Sequence, residues 1–226
     1  MVSFTKGDIC YMARVDFGLL DKIIKDESAE SRSAGDSSIC LSQFVNIISN
    51  LTSKANDFTE SDLALLTKAL QQFLHRRTFT SCKEDIKVGD IFNIDFGINY
   101  EPEMSYNHPG LILEEVGDLI LVVPTSTSSK KLQNAYHPIK NKNGNWYYYE
   151  VDKSDGFAER CVLILGNVCT ISKGRLLEKK GHLTCDITDD NSLYRKIRNI
   201  MIQHLFSKEY NKLSSKILEL EQKSNK

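Results

Sequence analysis

A single histidine and a run of hydroxyls border a regular hairpin pattern in this chain. In "MSYNHPGLILEEVGDLILVVPTSTS", residues 104–128, two apolar runs at 111–113 and 119–123 are split by a short acidic turn. His108 stands before Pro109 at one border, and Thr125, Ser126 and Thr127 follow Pro124 at the other. An imidazole titrates near pH 6.5 and can take or give a proton. Hydroxyls can donate to an anionic oxygen. Two strands of a small barrel bring their ends together, so His108 and Ser126 are expected on one rim. Ser and Thr at a strand end also bond readily to nearby backbone, which is the plainer reading of the cluster.

Strands must position these groups. From Lys87 onward, β-branched and aromatic runs lie between Gly, Asn and Asp punctuation: "DIFNIDFG", "GLILEE", "DLILVVPT", "NWYYYEV" and "CVLILGNVCTI". Their spacing, with turns at Gly117-Asp118 and Asn143-Gly144, predicts a small antiparallel β-barrel rather than βαβ units. The preceding residues read as helical. Leu41, Phe44, Val45, Ile48 and Leu51 recur at helical spacing, as do Leu63, Leu66, Leu70, Phe73 and Leu74, with a polar loop at 25–38 before them. "NSLYRKIRNIMIQHLF" predicts a further helix. The fold class expected is α+β, with a mostly helical region over 1–85, a barrel with its C-terminal helix over 86–208, and a charged tail over 209–226 that is helical or frayed.

With 29 Lys+Arg against 30 Asp+Glu the formal net charge is −1, so any nucleic-acid contact has to be local. Six scattered cysteines without a C-x-x-C pair suggest neither a zinc cluster nor a disulfide framework. The absence of a long apolar run and of a basic-then-apolar start leads to the expectation of a cytoplasmic protein without a membrane span. Lys130 and Lys131, then Lys140 and Lys142, surround an aromatic stretch that could hold unpaired bases. A solvated hairpin whose aromatics cover both faces of a strand is the bland alternative.

In order, "KVGDIFNIDFG", "EPEMSYNHPGLIL", "LVVPTSTS" and "VLILGNVCTISKGRL" followed by a helix resemble the MazF/PemK family of toxin endoribonucleases, over about residues 87–206. The resemblance implies an SH3-like barrel that acts as a homodimer, is held by an antitoxin protein, and cleaves single-stranded RNA. It implies no metal or other cofactor: the ribose 2′-OH attacks the adjacent phosphate, needing a base, an acid and donors for the extra charge. It carries catalytic roles to His108, Ser126 and Glu103, and RNA contacts to Thr125, Thr127, Lys130, Lys131 and Asn167.

Two departures matter. The family has an arginine where His108 stands, and a permanent forked cation differs from a group that titrates. Its Glu-Gln-Ile-Arg segment appears here as Gly166-Asn167-Val168-Cys169, without the carboxylate and the guanidinium. A barrel that kept its groove as a non-catalytic module, binding RNA or a protein, is therefore the alternative function.

Overall fold

The computed structural model describes residues 14–82 and 84–224. Two compact units divide within one helix, the first up to Leu65 and the second from Leu66.

In the first unit, α1 (Phe17–Ile24) is capped by Asp16, whose carboxylate accepts from the Leu19 amide. The polar stretch at 25–38 is a loop with two short 3₁₀ turns, and α2 (Ser38–Ser53) follows under a Ser37 cap. Asn46 Nδ2 donates to the Arg14 carbonyl and the Asp16 amide donates to Gln43, tying the start of α1 to α2. Next comes α3 (Glu60–Arg76), started by Thr59, whose hydroxyl accepts from the Asp62 amide.

The second unit contains an eight-stranded sheet. Its strands are β1 (Asp90–Asp95), β2 (Asn107–Val116), β3 (Leu119–Ser126), β4 (Ala135–Tyr136), β5 (Asn145–Val151), β6 (Cys161–Ile164), β7 (Cys169–Ser172) and β8 (Leu176–His182). The order is β4-β5-β6-β3-β2-β1-β8, with β7 paired to β3 off that path. All the pairs are antiparallel except β4 with β5. The class is α+β as expected. The ladder of described strands stays open between β4 and β8, so closure into a barrel is not seen. The run expected as one strand over 161–171 is two, because a 3₁₀ turn at Leu165–Asn167 breaks it.

Period-two alternation explains the two cores. On β2 and β3, Leu111, Leu113 and Val123 enter one cluster with Ile91 and Leu163. Ile112, Ile120 and Val122 enter the other with Phe92, Ile94 and Phe96. Their turn is Gly117-Asp118, where Gly117 takes φ +60°, a left-handed setting that glycine adopts without strain. A cap by Ser192 starts α5 (Leu193–Leu205), which buries Tyr194, Ile197 and Met201 against the first cluster. The Tyr194 hydroxyl donates to the Leu113 carbonyl at 2.6 Å. Trp146 of β5 stacks on His204 of α5, rings 4.3 Å apart and nearly parallel. Then α6 (Ser207–Ser224) is the last of the described helices, over most of the charged tail.

One buried charge joins the outer strands. Asp90 opens β1 with its side chain wholly buried; Lys179 Nζ and His182 Nδ1 of β8 both lie 2.7 Å from its carboxylate. Burial alone would raise its pKa, but the bonds from Lys179, His182 and the Lys87 amide outweigh that and lower it. Stability from Asp90 is therefore present at neutral pH and lost as pH falls through the depressed value, below 3.8. Asp90→Ala should reduce unfolding free energy by about 3 kcal/mol, leaving Lys179 without its partner. A urea midpoint unchanged at neutral pH would refute this.

Candidate functional site

Antiparallel register brings the two borders of the hairpin together. Gly110 pairs with Pro124, and the Thr125 hydroxyl donates to the Pro109 carbonyl at 3.1 Å, one step further along. His108 lies two residues before Gly110 and Ser126 two after Pro124, just past the last paired residues of that ladder, so both stand at the same end of the hairpin. A side chain at position 110 would meet Ile94 and Phe96, so the even-numbered positions of β2 face that cluster. His108 and Ser126 share that face by alternation.

His108 is partly buried. Burial, and then the positive charge of Lys131, lower its pKa below the ordinary 6.5. Its imidazole is thus neutral at pH 7 and able to accept a proton. Lys131 lies on α4 (Ser129–Asn134), the short helix directly after β3. The Ser126 hydroxyl accepts from the Ser128 amide at 3.3 Å. Lys130 and Thr127 are exposed at the same end. Thr125 differs: only 3% exposed, it is a clasp between β2 and β3, not an open donor.

A cleft of about 650 Å³ lies on the same face, lined by Phe96, Glu103, Met104, Asn167, Cys169 and Arg175 among others. Glu103 and Asn167 thus belong to this cleft, while His108 and Ser126 are not among its lining residues. Asn167 is a brace. Its Nδ2 donates to the Pro102 carbonyl at 3.0 Å and its Oδ1 accepts from the Tyr147 hydroxyl at 3.0 Å. Gly166 makes that possible, because a Cβ there would fall on the Tyr147 ring. The absence of a side chain at Gly166 therefore makes room for an aromatic.

Within the cleft, burial pushes the Cys169 thiol up; Arg175 opposes this and Glu103 adds to it. A thiol held protonated is a poor nucleophile. Arg175 supplies a guanidinium, donating to the Asp95 carbonyl at 3.2 Å. It is one of four basic residues, with Lys173, Lys179 and Lys180, that follow the last apolar run. The other three are paired: Lys173 with Glu115, Lys179 with Asp90 and Lys180 with Glu178.

The basic and aromatic stretch resolves toward packing. Tyr149 is buried, Trp146 stacks on His204, and Tyr147 and Tyr148 pack against the cluster of Ala135, Val162 and Ile164. His137 Nδ1 accepts from the Ile139 and Lys140 amides, as a turn residue does. Lys140 pairs with the buried Glu150. Among the described residues no cluster of three or more His, Cys, Asp or Glu could hold a metal. The five described cysteines are unpaired; Cys10 lies outside the described residues. No described helix is long and apolar enough to cross a membrane.

No family model matches the chain. The polycystin family receptor for egg jelly of Mus musculus is 21% identical over 182 residues, which cover 76% of this chain and 8% of that protein. The chain therefore spans under a tenth of that relative's length. Mycobacterium tuberculosis toxin MazF-mt6 is a structural neighbour at 17% identity and TM-score 0.35, covering 52% of this chain and 96% of its own. Neither likeness is strong enough to carry an argument about fold or activity.

The brace is testable by stability. Gly166→Ala should lose about 1–3 kcal/mol through overpacking against Tyr147, and Tyr147→Phe about 1 kcal/mol through the lost bond to Asn167. Thermal unfolding of both variants checks the order, and equal losses would contradict it.

Proposed function

We propose that the chain is a metal-independent endoribonuclease acting on single-stranded RNA. The observation that supports this best is a partly buried His108, its pKa lowered by burial and by the charge of Lys131, at the same end of the β2–β3 hairpin as Ser126. His108 takes the proton of a ribose 2′-OH as that oxygen bonds to the adjacent phosphorus. The bond to the 5′-oxygen breaks, giving a cyclic phosphate and, after protonation, a 5′-OH. Lys131 and the Ser126 hydroxyl proton offset the charge developing on the phosphorane oxygens. Glu103 holds the loop before β2 beside the cleft, and Lys130 and Thr127 contact the RNA backbone at the exposed end of β3.

On this reading the eight-stranded sheet is a MazF-like, SH3-like barrel whose ladder is left open. The protein works in the cytoplasm as a homodimer restrained by an antitoxin. One observation favours a second reading, a module that binds without cutting. Asn167 is committed at both ends of its amide and Cys169 is a neutral thiol, where the family has glutamine and arginine.

Cleavage of a long single-stranded RNA in the presence of a chelator tests this. The wild-type chain should leave cyclic-phosphate ends, and His108→Ala should cut about 10²–10⁴ times more slowly. Undiminished cutting by that variant overturns the role of His108; wild-type binding without cutting supports the second reading. The pH profile is a separate check. A depressed histidine pKa keeps the base form above 6.5, so kcat/KM should be flat there on its acid side and fall only as pH drops below that value. An acid limb centred above 6.5 would exclude His108 as the base.

A further inference from the structure

A second cavity adjoins the candidate site and shares Ser172 and Arg175 with its cleft. It holds about 530 Å³ between the end of α3, the segment after it, and the turn between β7 and β8. Its lining includes Arg76, Arg77 and Arg175, together with the rings of Phe73 and Phe79 and the side chain of Ile98. Arg175 also lines the cleft that contains Glu103, so the two cavities meet at its guanidinium.

Charge here is uncompensated in a molecule that is otherwise balanced. Arg76 is fixed by its backbone bonds: Nη2 donates to the carbonyls of Gly174 and Leu176, both at 2.8 Å, and the guanidinium lies over Phe79 at 5.2 Å. Its Nε is buried and finds no acceptor among the described residues. None of the three arginines pairs with a carboxylate there. Asp95 also lines the cavity, but its side chain is 8% exposed and accepts from the Gly97 amide. Phe73 and Phe79 are 59% and 48% exposed, unusual for phenylalanines within reach of cations. Guanidiniums that fork onto phosphate, interleaved with open aromatic faces that bases can stack on, make a platform for an unpaired strand.

We infer that this arginine- and phenylalanine-lined cavity is a second nucleotide subsite, in which Arg77 and Arg175 hold a backbone phosphate and Phe73 and Phe79 stack a base of a single-stranded RNA. It rests on the reading of RNA as substrate and extends it. Arg175 carries the strand from the cleft into this subsite, and α3 thereby becomes part of the binding surface. Duplex RNA is excluded, since paired bases cannot reach the rings.

The test is anisotropy of a labelled single-stranded oligoribonucleotide titrated with the full chain at several salt concentrations. Arg77→Gln should flatten the slope of log K against log salt by about 0.7, one phosphate contact. Phe73→Ala should weaken binding about tenfold without changing the slope. Both side chains are exposed, and unchanged melting temperatures confirm intact folds. Wild-type-like slope and affinity in both variants would overturn the subsite, as would equal affinity for a duplex of the same sequence or no RNA binding by the wild type. If inorganic phosphate displaces the strand and Phe73→Ala is silent, the site is a simple anion pocket and the stacking claim falls. Cleavage measured in the same samples separates the two readings. Binding that depends on Arg77 without cutting removes the nuclease and leaves the subsite; cutting with Arg77-independent binding does the reverse.

Discussion

Strand β3 is hydrogen-bonded along both edges, and the candidate site depends on how the second edge is divided. β2 takes one edge. On the other, β7 pairs with Leu119 through Val122, and β6 takes Thr125 and Ser126. The exchange of partners falls at Val123 and Pro124. Proline has no amide hydrogen, so a strand can leave one neighbour and join another there without orphaning a donor. The change of partner and the start of the hydroxyl cluster are thus one event in the chain. Across the first edge, Thr125 donates to the Pro109 carbonyl and so ties the hydroxyl cluster to the residue after His108.

Electrostatics in the sheet unit follow from pairing more than from composition. Most of the basic residues near the strands are spoken for: Lys179 by Asp90, Lys140 and Arg160 by Glu150, Lys173 by Glu115. What remains is concentrated in two places, beside His108 through Lys131 and around Arg175. A chain with net charge near zero can still present anion-binding surfaces if its acids are used internally. The same internal use explains why the formal count of −1 says little about partners.

The parts of this fold that were legible in the sequence are those written in a local period. The β2–β3 hairpin, the helical spacing in α2 and α3, and α5 all show it. Nearby residues decide those elements, and tertiary packing only confirms them. Elements decided by distant partners were not legible. β4 has two residues, β8 carries three consecutive charges before its one glycine, and α3 is divided by packing that no stretch of its own sequence records. The site divides the same way. His108 and the hydroxyl cluster could be placed at one end of the hairpin from the sequence, but counting through the turn sets His108 against Thr127, and the bulge between Ile112 and Glu114 shifts that register by one. That Thr125 points inward, that Asn167 braces Tyr147, and that Arg175 alone of four cations lacks an acidic partner depend on contacts between remote residues. Gly166 illustrates the limit: its letter says nothing of the Tyr147 ring that occupies the space a side chain there would need.

The stacked pair of Trp146 and His204 has a practical consequence. This is the chain's single tryptophan, so all indole emission originates where β5 meets the last turn of α5. Fluorescence therefore reports one seam of the protein, not its global state. Should α5 peel away while the sheet stays intact, the optical signal would change well before backbone circular dichroism does, and the two traces together would reveal a partially opened species.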